Sequence, residues 1–275
     1  MIPELGSKAT VLNSLVLQRW QFNKLATRAT NRLHQFLIAV FPEGEARYLN
    51  QLLKVTPYYP TPKDILAGNG LERIERLGER HRENMLELAA NTVGVPGQTY
   101  GWLIQDLSVQ RMESLAKRDG LTSIIRRRVT THPYGKILLS FPHLGEISAA
   151  TIIGIVKNID RWPDKKKLKK ALGVYNSLTQ SGTSLGRTRQ GKEGSRHGRR
   201  VLFQICLGCI RTNVRDNDFR DYYLRQVARG KVRMKALVST MGKLAEIIYH
   251  CLKAGELHQY KGKYRMTIIA SNKKP

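Results

Sequence analysis

Between Val11 and Phe41, apolar side chains return every three or four positions, at Leu12, Leu15, Val16, Leu25, Ala29, Leu33, Phe36, Leu37 and Val40. That spacing gathers them on one stripe and predicts a long helix that Pro42 stops. The opposite face, as in NKLATRATNRLHQF, is built of Gln, Asn and Arg and suits an exposed arm. The prolines of TPYYPTPKDILAGNG then break the pattern; Thr61 before Pro62 marks a helix start, and the Gly68–Gly70 stretch its stop. Short helices are expected over 71–76 and 79–92, with GVPGQ as a turn before a second long helix, Thr99 to Lys117. Leu103, Leu107, Gln110, Met112 and Leu115 give that helix a looser stripe. Two long helices around a compact insertion fold back as an antiparallel, coiled-coil-like arm.

From Thr122 onward the period stays helical through TSIIRRRVTTHP, PHLGEISAATIIGIVKNI and DKKKLKKALGV. An almost wholly apolar helix is expected from Arg199 to Asn213, an aromatic-bearing one from Asp216 to Val227, and a third from Val232 to Leu252. Strand signals are weak, at Lys136–Ser140 and Tyr264–Ala270. The expected fold is therefore mainly α, with a helical arm and linker over residues 1–130 and a compact helical domain over 131–275.

Charge separates these halves. Residues 1–120 carry 15 basic and 12 acidic side chains, whereas residues 121–275 carry 32 and 9, within a formal charge of +26. Such a surplus repels itself unless a polyanion screens it, which makes the second half a nucleic-acid binder whose affinity falls steeply with salt. No apolar run is long enough to cross a bilayer, and no helix sets an uninterrupted apolar face beside a basic one, which argues against a membrane partner. The start, MIPELGSKAT, lacks the order of a secretory signal, and three cysteines are too few for a disulfide framework; both point to the cytoplasm. Cys206 and Cys209 form a C-x-x-C, but inside the apolar run VLFQICLGCI they read as buried core residues.

Candidate chemistry concentrates in SLTQSGTSLGRTRQGKEGSRHGRR, residues 177–200. It is rich in glycine and hydroxyls and poor in apolar residues, so it reads as a loop facing water or a charged ligand. Ser177, Ser181, Thr183, Ser184 and Ser195 offer hydroxyls, while Arg187, Arg189, Lys192, Arg196, Arg199 and Arg200 offer cations. Such cations either hold phosphates or stabilise the charge that builds up when a serine attacks a phosphodiester. LLSFPHLGEISAATIIGIV has the layout of a helix-hairpin-helix turn ending in Gly145, with His143 where the usual hairpin carries glycine. Its backbone N–H groups at a helix start are suited to phosphate. The basic run DKKKLKK adds Lys165 and Lys166. The acids of RDNDFRD, Asp216, Asp218 and Asp221, read as helix-start residues and not as metal ligands.

From Phe141 to Gly255 the order of FPHLGEISAATIIGIV, RWPDKKKLKKALGVYNSLTQSGTSLGR, GSRHGRRVLFQICLGCIR and ARGKVRMKALVSTMGKLAEIIYHCLKAG resembles the carboxy-terminal domain of the insertion-sequence-110 transposases. Upstream, LVLQRWQFNKLATRATNRLHQFLIAVFPE and PTPKDIL resemble the helical arm that the same family carries between its two catalytic parts. The resemblance implies a serine nucleophile in a Q-S-G type motif, matched here by Gln180, Ser181 and Gly182. It further implies covalent phosphoserine chemistry on DNA, a structured bridge RNA as guide, oligomerisation through the arm, and an amino-terminal RuvC-like domain whose four acids hold Mg2+. The sequence opens at the arm, so the expectation is that such a domain was lost or acts in trans, and that the chain alone binds nucleic acid but cleaves slowly. A family asparagine is often found where Ser195 stands. The alternative expectation is a non-catalytic DNA- or RNA-binding remnant or regulator of a transposase, in which the same loop only holds phosphate.

Overall fold

Four helix starts among the described residues are written in the same short code, a polar side chain that accepts the backbone N–H three residues on. Thr61 opens one by accepting from the Asp64 N–H (3.2 Å), while the Asp64 carboxylate accepts from the Thr61 N–H (3.0 Å), a reciprocal capping box. Asp164, Ser195 and Asn217 accept in turn from Lys167 (2.8 Å), Gly198 (3.1 Å) and Arg220 (2.9 Å). The computed structural model describes residues 2–67, 78–95, 98–178, 188–190, 193–211 and 217–260. Its helices are α1 (Ile2–Val40), α2 (Pro42–Val55), α3 (Pro62–Ala67), α4 (Glu79–Ala90), α5 (Gln98–Thr131), α6 (Pro133–Leu139), α7 (Glu146–Val156), α8 (Lys165–Ala171), α9 (Arg196–Ile210), α10 (Asp218–Ala228) and α11 (Arg233–Ala254). A 3-10 turn covers Ile159–Arg161, and two three-residue strands, β1 (Asn176–Leu178) and β2 (Thr188–Gln190), pair antiparallel. The fold is mainly α.

The chain divides into two compact units, residues 17–121 and residues 1–16 with 122–275. In the first, α1 and α5 run antiparallel. Phe36 meets the Tyr100 ring at 5.6 Å between centroids, Arg111 donates to the Thr30 hydroxyl at 3.2 Å, and the Lys117 ammonium lies 5.9 Å from the Phe22 ring. Leu33, Leu37, Val40 and Phe41 join Leu52, Val55, Ile65, Met85 and Ile104 in one core. Two details depart from the apolar pattern. Leu25 is 47% exposed and its neighbour Ala26 takes the buried position; on α5, Met112 is exposed while Ser108 and Ser114 are buried. That seam is closed by polar pairs, with Ser108 donating to the Thr56 hydroxyl (2.7 Å) and Arg111 to the Leu53 carbonyl (3.3 Å), so hydropathy alone did not reveal it.

Other expectations are corrected as well. Pro42 does end α1, but it also opens α2 from the first helical position, where its missing N–H costs nothing. The second long helix continues through Gly120 to Thr131. Lys136–Ser140 is not a strand: Pro133, capped by His132, starts α6, and Ser140 ends it. The roots of the loop over 177–200 form the two-stranded ladder. The expected helix at 71–76 and the strand signal at Tyr264–Ala270 lie outside the described residues.

In the second unit His132 is buried, its Nδ1 accepting the Tyr134 N–H at 3.1 Å. Burial, and then the Lys8 ammonium, push its pKa below the ordinary value. The fold therefore holds His132 neutral while the unfolded chain protonates it, so its contribution is present above about pH 6.5 and is lost as pH falls towards the depressed folded value. His132→Asn keeps a capping acceptor without titrating. The wild type is expected to lose more urea resistance than this variant on going from pH 7.5 to 5; equal losses would contradict the assignment.

Candidate nucleic-acid interface and nucleophile loop

The loop over 177–200 is held at its base by a closed neck. Gly173 and Gly194 both have left-handed backbones, at φ of +79° and +82°, and a Cβ added to Gly194 would lie 1.9 Å from the Lys170 carbonyl and 2.9 Å from the Gly173 nitrogen. Only glycine permits that approach. The Ser195 N–H donates to the Ala171 carbonyl at 2.8 Å, and the Lys170 ammonium pairs with Glu193 at 2.6 Å. Arg199 completes the clasp: its Nε donates to the Gly173 carbonyl (2.8 Å) and its terminal nitrogen to the Glu193 carbonyl (3.1 Å). Above the neck β1 and β2 pair Asn176 with Gln190 and Leu178 with Thr188. Residues 179–187 join the two strands, and with them Gln180, Ser181, Gly182, Thr183, Ser184 and Arg187 lie outside the described residues, as does Lys192.

The remaining expected site residues fall in four places: the two short strands, the start of α9, the turn from α6 to α7, and α8, which carries Lys165 and Lys166. Arg189 belongs to β2, and Ser177 to β1. Ser195 is the cap of α9, a role that asparagine fills equally well. Arg196 and Arg200 are exposed on the first turns of α9, and His197 between them is held below the usual histidine range by burial and then by those two guanidinium groups. His143 and Gly145 sit in the turn from α6 to α7. His143 adopts φ +58°, the left-handed backbone for which a glycine is the usual choice, and Gly145 caps α7 with no side-chain acceptor.

The turn is pinned to the far end of α9: a Cβ on Gly208 would meet the His143 ring at 2.8 Å, and the Cys209 thiol lies 3.6 Å from the Pro142 carbonyl. At the near end, a Cβ on Gly198 would meet Ile155 of α7 at 2.9 Å. Thus α7 and α9 run antiparallel. The ten residues from Gly198 to Gly208 span ~15 Å of helix, which keeps the turn from α6 to α7 and the loop neck apart at opposite ends of the pair.

Cys206 and Cys209 are buried, and burial pushes the Cys209 thiol up to about 12 and Cys206 well above its ordinary value. Neither is a ready thiolate. Asp218 and Asp221 lie buried in the first turn of α10, with Asn217 as cap and Asp221 accepting from the Tyr260 hydroxyl at 2.9 Å; Asp216 lies outside the described residues. Among the described residues no group of three or more His, Cys, Asp and Glu side chains could hold a metal ion. No helix among them is long and apolar enough to cross a membrane.

One arrangement escaped the sequence pattern. Lys165 and Lys169 of α8 and Lys243 of α11 surround Glu246, at 3.7, 2.9 and 3.7 Å. Burial raises the pKa of that carboxyl, but the Lys169 hydrogen bond and the three ammonium groups outweigh it and hold the carboxyl below its ordinary range. Lys166 and Lys169 line the adjoining cleft of about 350 Å3 with Tyr175, Tyr222 and Lys243. The i, i+4 lysines on α8 and the i, i+3 pair on α11 were visible in the sequence, but their meeting was not.

Comparison with known proteins bears on the same region. Residues 135–224, from α6 through the loop to α10, match the model of a family described as Transposase IS116/IS110/IS902 family. The chain is 25% identical over 249 residues to the insertion element IS110 uncharacterized 43.6 kDa protein of Streptomyces coelicolor, a match covering 85% of this chain and 60% of that protein. It is 23% identical over 265 residues to the insertion element IS116 uncharacterized 44.8 kDa protein of Streptomyces clavuligerus, covering 91% and 65%. The chain thus spans less than two thirds of the length of these relatives. The transposase match centres on the neck, the loop and the packed α7–α9 pair, and the similarity to the two insertion-element proteins extends across the arm: over residues 135–224 the chain is similar to the IS116/IS110/IS902 family of transposases.

Proposed function

We propose that the chain acts in DNA transposition, with Ser181 as the nucleophile of strand cleavage and exchange. The Ser181 hydroxyl oxygen bonds to the phosphorus of a DNA phosphodiester as the bond from phosphorus to one sugar oxygen breaks. The serine gives up its proton, and the departing sugar hydroxyl takes one up. One phosphodiester is exchanged for another, so the linkage energy is kept for rejoining to a different strand. Arg187, Arg189, Lys192, Arg196 and Arg200 supply the positive charge that the transition state requires, while Arg199 holds the neck.

The observation that carries this reading is the neck within the family match. Two left-handed glycines, a salt bridge and an arginine clasp anchor the short ladder whose strands residues 179–187 connect in sequence. A loop that only tethered phosphate would gain little from such a rigid base, whereas a nucleophile requires placement to a fraction of an ångström. The turn from α6 to α7 belongs to the same reading as a helix-hairpin-helix contact, in which the uncapped N–H groups of α7 bind backbone phosphate; the left-handed His143 supports it. A bridge RNA as guide, assembly of several copies through the arm, and magnesium held by the acids of a RuvC-like domain complete the proposal.

The test is transfer of radiolabel from element-end DNA to the chain, in magnesium with RNA and a RuvC-like domain supplied in trans. Label that stays with the denatured protein is the expected result; cleavage without it would replace the serine mechanism by direct hydrolysis. Duplex affinity should also fall by about 10³ or more between 50 and 200 mM salt if six or more phosphates are engaged. A flat response in a titration would contradict nucleic-acid binding altogether.

A further inference from the structure

Beside the root of the nucleophile loop, the cleft between α8, α10 and α11 combines two kinds of group that single-stranded nucleic acid requires together. Lys166, Lys169 and Lys243 line it with the rings of Tyr175 and Tyr222, and Val174 and Val238 give it apolar wall. Counting Lys165 at Glu246, four ammonium groups face one carboxylate, a surplus of three positive charges. Each ring is itself flanked by a cation, Tyr175 by the Lys170 ammonium at 5.4 Å and Tyr222 by the Arg225 guanidinium at 5.7 Å. The volume of about 350 Å3 lies at the small end of ligand sites, which run from about 300 to 1,000 Å3.

We propose that this cleft receives one unstacked nucleotide of a single-stranded polynucleotide, its base against Tyr175 and Tyr222 and its phosphate on Lys166, Lys169 and Lys243. Glu246 marks where the anion goes: a carboxylate now sits among three ammonium groups, and an incoming phosphate competes with it for them. A duplex does not offer the same fit, because its bases are stacked away from any aromatic wall, whereas proteins that hold single strands pair a basic groove with aromatic platforms. Tyr175 directly precedes β1, so the captured nucleotide lies at the foot of the strand that leads to Ser181. The site rests on the cleft alone and stands whether or not Ser181 is a nucleophile.

Gly242 allows a test that leaves charge untouched. A Cβ there would meet Lys169 at 3.5 Å and Val174 at 3.9 Å, ordinary contacts, so Gly242→Leu fills the cleft from α11 with a better helix former. Fluorescence anisotropy would compare this variant, Tyr175→Ala and Glu246→Gln with the wild-type chain. The probes are labelled oligothymidylate, labelled oligouridylate and a mixed-sequence duplex. Gly242→Leu and Tyr175→Ala are expected to weaken single-strand binding about five- to hundredfold, with duplex affinity within twofold. Glu246→Gln is expected to tighten single-strand binding several-fold by removing the competing carboxylate, which a merely structural role for Glu246 would not do. The larger change between the deoxy and ribo probes identifies which strand the cleft serves. Single-strand affinity unchanged in both cleft variants, equal losses for single strand and duplex, or weakening by Glu246→Gln would each overturn the assignment.

Discussion

Replacing Ser181 by alanine is expected to lower strand cleavage by about three orders of magnitude or more while leaving the affinity for element-end DNA within twofold. The asymmetry follows from what the hydroxyl does. As one neutral hydrogen-bonding group among many cations, it adds little to an affinity set by phosphate contacts. In the proposed reaction it is the atom that bonds to phosphorus and is needed in every turnover, and removing a nucleophile leaves only the rate that positioning and charge sustain without it. Single-turnover cleavage and equilibrium binding on the same DNA check both halves. Cleavage that survives in Ser181→Ala would return the loop to phosphate holding.

The second large effect is expected at the neck. Gly194→Ala should destabilise the unit that carries the loop by at least about 3 kcal/mol, against about 1 kcal/mol for Gly230→Ala. Both glycines have φ +82°, but a Cβ on Gly230 meets nothing within 4 Å, whereas on Gly194 it collides with the Lys170 carbonyl. The pair therefore separates the strain of a left-handed backbone, which both substitutions incur, from the close approach that belongs to the neck alone. Urea unfolding of the two variants measures the difference. Equal losses would mean that the loop is not clamped at Gly173 and Gly194. The Gly194 variant should also cleave more slowly than its residual folded fraction accounts for, because a loosened base no longer positions the loop.

Much of this architecture could be read from residue order because its signals are local. Thr61 announces its helix from three residues before Asp64; Asp164 and Ser195 cap at the same spacing, but the loop-like composition around Ser195 moves the expected start of α9 to Arg199. The stripe on α1 and the apolar α9 announce their buried faces in the same way. The misreadings have a common cause in contacts between distant residues. Met112 looked like a seam residue and Ser108 did not, until Thr56, 52 positions away, supplied a partner for the buried hydroxyl. Lys136–Ser140 reads equally well as strand or helix until His132 and Pro133 set its start.

The site divides along the same line. The hydroxyls and cations of residues 177–200 were visible as chemistry, and the left-handed turn at His143 sits where the hairpin pattern asks for glycine. What composition hid was the division of labour among those cations. Arg199 spends its donors on the carbonyls of Gly173 and Glu193, while Arg196 and Arg200 stay exposed. The meeting of Lys165, Lys169 and Lys243 at Glu246 joins helices about 80 residues apart, beyond any periodic signal.

The central claim is that Ser181 forms the covalent bond to DNA, and peptide mapping of the trapped adduct tests it most directly. The chain would be reacted with element-end DNA in magnesium, with RNA and a RuvC-like domain in trans, then digested with protease and nuclease and sequenced by tandem mass spectrometry. A nucleotide remnant on Ser181, absent from Ser181→Ala, is the expected result. A remnant on any other residue, or cleaved DNA with no remnant on the chain, would contradict the account.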